Sequence, residues 1–245
     1  MGGIVVTAIP DYNDPTLLAM KLACKKVGNK QTPRDYLGAS LIGNPCSRQI
    51  WYSFKNYPKR PFEAETLWNF EDGHRTEDLV AARLRLIDGI ELWTHKDDGS
   101  QFGFVALDGK FKGHIDGVIK GLKQAPKTPH IWENKCSAEK KYNEFQNLKA
   151  KHGEKNTLKN WNENYYIQAQ LYMRYFNIDR HYMTVARAGG RDIDSCRTEY
   201  SPEIAEKAID KANKIISAQI EPQRISENED YFICRWCDYA EICRK

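Results

Sequence analysis

The sequence predicts an α/β fold with a central mixed β-sheet flanked by helices, its N- and C-terminal segments joined by a cysteine metal cluster. Three observations predict it. Apolar residues keep a helical period up to about Leu86, change to short runs between Gly89 and Cys136, and then return to helical spacing. Gly, Asp and Pro residues punctuate the short runs, as turns between strands require. Cys234-x2-Cys237-x5-Cys243 closes the chain, and Cys46 stands far upstream as a fourth thiolate.

The elements follow in order. Asp14-Pro15 opens a helix that stops at Val27-Gly28, with Asp as its cap, Pro in its first turn and Gly past its end. A second helix begins after Pro45 and carries Arg48, Trp51 and Tyr52. A longer helix runs from Glu63 to Leu86. Gly89–Thr94, Phe102–Leu107, Lys112–Lys120 and His130–Cys136 read as strands. The segment from Gln124 to Pro129 reads as a loop. Helices return at Ala138–Lys151 and Leu158–Phe176. Strands His181–Ala188 and Asp192–Tyr200 follow, joined by Gly189-Gly190, and Ser201-Pro202 opens a last helix that runs to about Ala218. No internal repeat or low-complexity tract interrupts the series.

Composition narrows the class. The chain has 245 residues, 29% charged and 41% hydrophobic, a balance that suits a globular domain. No apolar run approaches the ~18–20 residues of a membrane span, and the start lacks a secretory pattern. Met1-Gly2 does not complete a myristoylation pattern, because Val6 stands where Ser or Thr is required. Seven cysteines, several at metal-ligand spacing, suit a reducing compartment, so a cytoplasmic location is expected.

The net charge is only +4, but it is unevenly spread. From Lys25 to Arg60 there are eight Lys or Arg against Asp35 alone, and from Lys135 to Asn160 seven Lys against three Glu. Trp51, Tyr52, Phe54 and Tyr57 interleave the first segment, and Tyr142 and Phe145 the second. Cations for phosphates and rings for bases are what a nucleic-acid groove needs, although solvated helix faces give the same counts.

The chemistry gathers in Gly113-His114-Ile115-Asp116 and Ile131-Trp132-Glu133-Asn134-Lys135. In a strand, Glu133 and Lys135 project from one face. With Asp116 on a neighbouring strand, two carboxylates can share a hard cation such as Mg²⁺ or Mn²⁺ while Lys135 offsets negative charge. A turn aspartate beside an exposed ion pair is the plainer alternative. Gln168 and Tyr172, one helical turn apart, share a face, as residues on the polar edge of an ordinary core helix also would.

The order G-x-x-D, E-x-K, Q-x-x-x-Y resembles the RecB-type branch of the PD-(D/E)XK nuclease superfamily. The cysteine arrangement is similar to that of its iron–sulfur members, including the CRISPR-associated RecB-like nuclease and the AddB nuclease domain. The stretch from Ser40 through Cys46 to Tyr52 looks like the segment around their first cysteine. The resemblance covers roughly Ser40 to Cys243.

It implies that Asp116, Glu133 and the backbone carbonyl of Asn134 bind Mg²⁺ or Mn²⁺. Lys135 is then the catalytic lysine, and Gln168 and Tyr172 hold DNA and the site geometry. Cys46, Cys234, Cys237 and Cys243 hold a 4Fe–4S cluster, with Zn²⁺ as the alternative. A zinc ribbon usually pairs two C-x2-C knuckles, and this chain has one. The family's helix motif departs here. Gly73-His74-Arg75-Thr76-Glu77 puts Glu77 at the metal-ligand spacing and His74 three residues early, so Glu77 is the preferred ligand. Gly73 then suggests a close backbone approach to the site. Cys24, Cys136 and Cys196 read as small buried apolar residues.

The implied organisation is one nuclease domain over residues 1–245. Residues 1–60 form a helical segment with the first cysteine, 61–200 the core, and 201–245 the last helix and the cysteine cluster. The implied activity is a metal-dependent DNA exonuclease acting on single strands or ends, in CRISPR adaptation or phage recombination, with a partner protein of that pathway. An endonuclease of the same superfamily and a catalytically silent DNA-binding subunit are the alternatives.

Overall fold

The computed structural model describes residues 14–30 and 33–245. The helices are α1 (Pro15–Gly28), α2 (Ser47–Phe54), α3 (Ala64–Leu84), α4 (Glu139–His152), α5 (Thr157–Trp161), α6 (Glu163–Phe176), α7 (Pro202–Ser217), α8 (Phe232–Arg235) and α9 (Ala240–Cys243). The strands are β1 (Leu37–Gly38), β2 (Glu91–Trp93), β3 (Gly103–Ala106), β4 (Phe111–His114), β5 (Gly117–Lys120), β6 (His130–Ser137), β7 (Arg180–Arg187) and β8 (Ile193–Glu199). None of the described helices is long and apolar enough to cross a membrane.

The strands form two mixed sheets rather than the single one expected. One has the order β1-β4-β3 and the other β2-β5-β6-β7-β8. In the larger sheet β6 and β7 are parallel and the remaining pairs antiparallel. The division falls inside the expected Lys112–Lys120 strand. At Ile115-Asp116 the chain leaves one sheet for the other, and the Asp116 N–H donates to the Glu133 side chain rather than to a ladder carbonyl (3.3 Å). Gly113 and Gly117 make the crossing possible. A Cβ at Gly113 would stand 2.6 Å from Phe104 and 2.8 Å from Tyr172, and one at Gly117 would stand 2.6 Å from the Trp93 carbonyl.

The helix expected over Leu158–Phe176 is also divided. Asn162 takes extended backbone angles, which ends α5, and its side chain accepts from the Tyr165 N–H, which caps α6. At the start of α1, Asp14 caps by accepting from Thr16 and Leu17, as its position before Pro15 predicts.

Helices cover both faces of the larger sheet. On one face Val80 and Ala81 of α3 pack with Trp132, Tyr182, Leu92 and Ile119. On the other, Ile131, Met183 and Val185 pack with Phe145, Leu158, Leu171 and Ala212 from α4–α7. Burial on both faces shows in the adjacent residues Ile131 and Trp132, which point to opposite sides of β6 and are both fully buried. That sandwich fixes the strand carrying Glu133 and Lys135.

Candidate active site

Asp116, Glu133 and Lys135 meet where β5 parts from β4 along the edge of β6. Glu133 is almost fully buried, at 2% exposure. Lys135 Nζ donates to Glu133 Oε2 at 2.7 Å and lies 4.0 Å from Asp116 Oδ2. The Asn134 N–H donates to Asp116 Oδ2 at 2.8 Å, so Asp116 takes a donor that a paired strand residue would otherwise use. Glu77 on α3 completes the group. It is half-buried and its carboxyl is pushed up to about 7, first by burial and then by the negative charge of Asp116.

The electrostatics follow from counting charges. Burial disfavours both ionised forms of the Glu133–Lys135 pair. Burial, then Asp116, pushes Glu133 up. Burial acts against Lys135 as well, but the carboxylates of Glu133 and Asp116 outweigh it and hold the ammonium protonated. Three carboxyl groups facing one ammonium would carry an excess of negative charge when all are ionised, and an all-oxygen donor set of this kind suits a hard divalent cation. Among the described residues no three His, Cys, Asp or Glu side chains stand together at coordinating distance. Glu133 instead turns to Lys135, and Asp116 to the Asn134 amide.

The helix motif places its two candidates differently. Glu77 faces Asp116 and Lys135, whereas His74 is exposed. The close approach expected at Gly73 is absent, since a Cβ there would meet nothing within 4 Å.

Gln168 Nε2 donates to the Tyr172 hydroxyl at 2.8 Å in a buried pair on α6. Burial, and then the nearby Glu133 charge, raises the Tyr172 hydroxyl above its ordinary range, so it remains a neutral donor. The Tyr172 ring also stands 2.8 Å from where a Gly113 Cβ would be, which ties the helix to the strand leading into Asp116.

Sequence reasoning missed a buried polar chain behind the carboxylates. Trp132 Nε1 donates to Thr184 Oγ1 (3.1 Å), and Thr184 Oγ1 donates to Asn134 Oδ1 (3.0 Å). Asn134 Nδ2 in turn reaches Thr76 Oγ1 (3.5 Å), which donates to the Asp72 carbonyl (2.8 Å). The chain joins β7, β6 and α3 beside Glu77. Tyr165, also unforeseen, lies with its ring centroid 5.5 Å from Lys135 Nζ.

The four cysteines of the spacing pattern line one cavity, brought together from the start of α2 and from the α8–α9 segment. Arg48, Arg224 and Arg244 line it too, and the Tyr239 N–H donates to Cys237 Sγ at 3.4 Å. Burial, then the backbone bond to Tyr239, then Cys46 and Cys243 act on Cys237, whose thiol ends above its ordinary range. Cys196 is fully buried as expected, while Cys24 and Cys136 are half-buried.

No family model and no curated protein sequence matches the chain. Solved structures match by shape. LHK-Exo, an alkaline exonuclease from Laribacter hongkongensis, overlaps with a TM-score of 0.50 at 12% identity, over 76% of this chain and 88% of that one. Its complex with dAMP overlaps with a TM-score of 0.50 at 11% identity, over 74% and 86%. A phage related exonuclease from Haemophilus somnus 129PT gives 0.47 at 16% identity, over 79% and 83%. The fold of this chain is therefore one that LHK-Exo also adopts, a mixed α/β architecture.

Proposed function

We propose that the chain is a metal-dependent deoxyribonuclease of the RecB-like iron–sulfur branch, an exonuclease acting on single strands or ends. The observation that carries this is the meeting of Glu77, Asp116, Glu133 and Lys135 from α3, the β4–β5 crossing and β6. In this reading Glu77, Asp116, Glu133 and the Asn134 carbonyl hold Mg²⁺ or Mn²⁺. When bound, the cation polarises the phosphate and lowers the pKa of a water.

The protein's own part is positional and electrostatic. Lys135 stays cationic, orients the attacking water and offsets charge on the phosphoryl oxygens. Gln168 fixes the Tyr172 hydroxyl, and the Thr76–Asn134–Thr184 chain keeps α3 and β6 in step. DNA as substrate is supported by the shared fold with LHK-Exo, which has been captured in complex with dAMP. CRISPR adaptation and recombination are the two settings the motif resemblance implies.

Cys46, Cys234, Cys237 and Cys243 hold a 4Fe–4S cluster in this reading. Their common cavity and three arginines suit a tetrathiolate centre of net negative charge, and Zn²⁺ would fit the same donors. Visible absorbance and iron content of anaerobically prepared protein separate the two.

The test is incubation with labelled linear DNA and Mn²⁺. Glu133→Ala and Lys135→Ala are each expected to lower cleavage at least ~10²-fold with the fold intact. Glu77→Ala should do the same and weaken Mn²⁺ binding in calorimetry, while His74→Ala retains both. Wild-type cleavage in the Glu133→Ala/Lys135→Ala double variant overturns the assignment. Affinity lost with His74 and kept without Glu77 reverses the ligand choice.

A further inference from the structure

We infer that the outward face of the three-stranded sheet is the track along which one DNA strand reaches the carboxylates, an inference that rests on the nuclease reading above. From Phe111 to Asp116 the burial alternates. Phe111, Gly113 and Ile115 are buried, whereas Lys112 and Asp116 are half-exposed and His114 is exposed. A strand advances about 3.3 Å per residue, so successive outward side chains stand roughly 6.6 Å apart. Lys112 and His114 therefore lead along the open face of β4 to the crossing at Ile115-Asp116, where the chain enters the candidate site.

The side chains of this row are held in place. Lys112 Nζ lies 4.6 Å from the Tyr36 ring centroid, and the Arg34 guanidinium 5.9 Å from the same ring. Asn56 grips that segment from both sides. Its Oδ1 accepts from the Arg34 N–H (3.1 Å) and its Nδ2 donates to the Arg34 carbonyl (2.7 Å). The Leu37 N–H donates to the Lys110 carbonyl (2.8 Å), which fixes Tyr36 beside β4. His114 pairs across the sheet with Gly103, where a Cβ would stand 2.6 Å from the imidazole. The missing side chain lets the ring lie against β3. Val105, opposite Lys112 on β3, adds an apolar surface that is 67% exposed.

The chemistry of this face fits a phosphodiester strand. Arg34 and Lys112 supply cations for phosphates, His114 a ring nitrogen, and Tyr36 and Val105 surface for sugar and base. The acid beside them, Asp35, lies 3.9 Å from Lys112 with its side chain 88% exposed, so it can turn to solvent when a phosphate takes its place. Three strands about 4.8 Å apart make a platform about 10 Å wide, which seats one strand. Continuity with Asp116 gives the strand a direction of travel.

Binding of a fluorescein-labelled oligothymidylate, followed by anisotropy in EDTA across a range of KCl, tests the track without cleavage. Lys112→Gln and Arg34→Gln should each weaken binding and flatten the plot of log K against log salt by about 0.7, the increment for one phosphate contact on a single strand. Hydrolysis of bis(p-nitrophenyl) phosphate with Mn²⁺, which needs no strand, should keep its wild-type rate in both. An unchanged slope in the Arg34→Gln/Lys112→Gln double variant overturns the track. A blunt duplex competing as well as the single strand overturns the one-strand assignment. Absence of wild-type cleavage strikes the catalytic reading alone, because binding in EDTA is read independently of it.

Discussion

Glu133 and Lys135 were legible as a pair because a strand's period of two is strict, so E-x-K can only project one way. Thr184 was not legible. A single threonine in a strand carries no pattern, and its bond to Asn134 exists only because β6 and β7 pair in parallel with those two residues in register. His181 shows the same limit more sharply. It is fully buried, and neither ring nitrogen has a partner among the described residues. Burial, then the charges of Lys135 and His130, lowers its pKa from 6.5 to about 3. The unfolded chain therefore binds a proton in that window that the folded chain refuses. The resulting stability is fully present above pH 6.5 and is lost as pH falls towards 3, at up to about 1.4 kcal/mol per pH unit. Glu77 and Glu133 are pushed up and act in the opposite sense, so the readout is a difference. Urea titrations should show wild type losing more stability than His181→Leu between pH 6.5 and 5. Parallel losses would mean that His181 accepts its proton without unfolding.

Elements were read well where period and caps agreed, and poorly where a polar side chain replaces a backbone partner. Asn162 divides a helical pattern whose apolar spacing never falters, because its side chain competes for the Tyr165 amide. Asp116 divides a strand pattern by taking the Asn134 amide and giving its own to Glu133. The second break is also what creates the site. Had β4 run on into β5, Asp116 would face a ladder neighbour rather than Lys135. The polar chain behind it holds the elements together, and Thr184 is its hub. Thr184→Val keeps the shape but leaves Trp132 Nε1 and Asn134 Oδ1 buried without partners, at about 1–3 kcal/mol each. Denaturant unfolding should show a loss on the order of 2 kcal/mol, mostly restored in Thr184→Ser, which keeps the hydroxyl. A loss of the same size in Thr184→Ser, which keeps the hydroxyl and lacks only the methyl, would mean that the hydroxyl is not what holds this chain together.

At the scale of the whole molecule, the charge count foresaw basic segments but not how they are used. Lys25 pairs with Glu63, Arg48 with Glu221, and Lys55 lies over Trp51, so much of the first segment is engaged within the protein. Lys112, outside both segments, sits on the open sheet face. The cysteine spacing was more informative, because a repeated ligand type has few structural uses and the upstream partner can be named from sequence alone. The fold brings Cys46, at the start of α2, to the cavity that Cys234, Cys237 and Cys243 line near the other end of the chain. A metal centre held there, as proposed, would close a loop of most of the protein, and the free energy of holding it would become free energy of folding. Arg48 strengthens the closure, since its Nε donates to the Pro222 carbonyl at 2.6 Å while its other end lies beside Cys243. Cys46→Ser should therefore lose metal and lower Tm on the order of 10 °C, as measured by elemental analysis and calorimetry. Cys24→Ser, on α1 and outside the cavity lining, should keep both metal and Tm. Full metal content in Cys46→Ser would remove that residue from the site. Equal loss in both variants would mean that the effect comes from losing any thiol rather than from opening this closure.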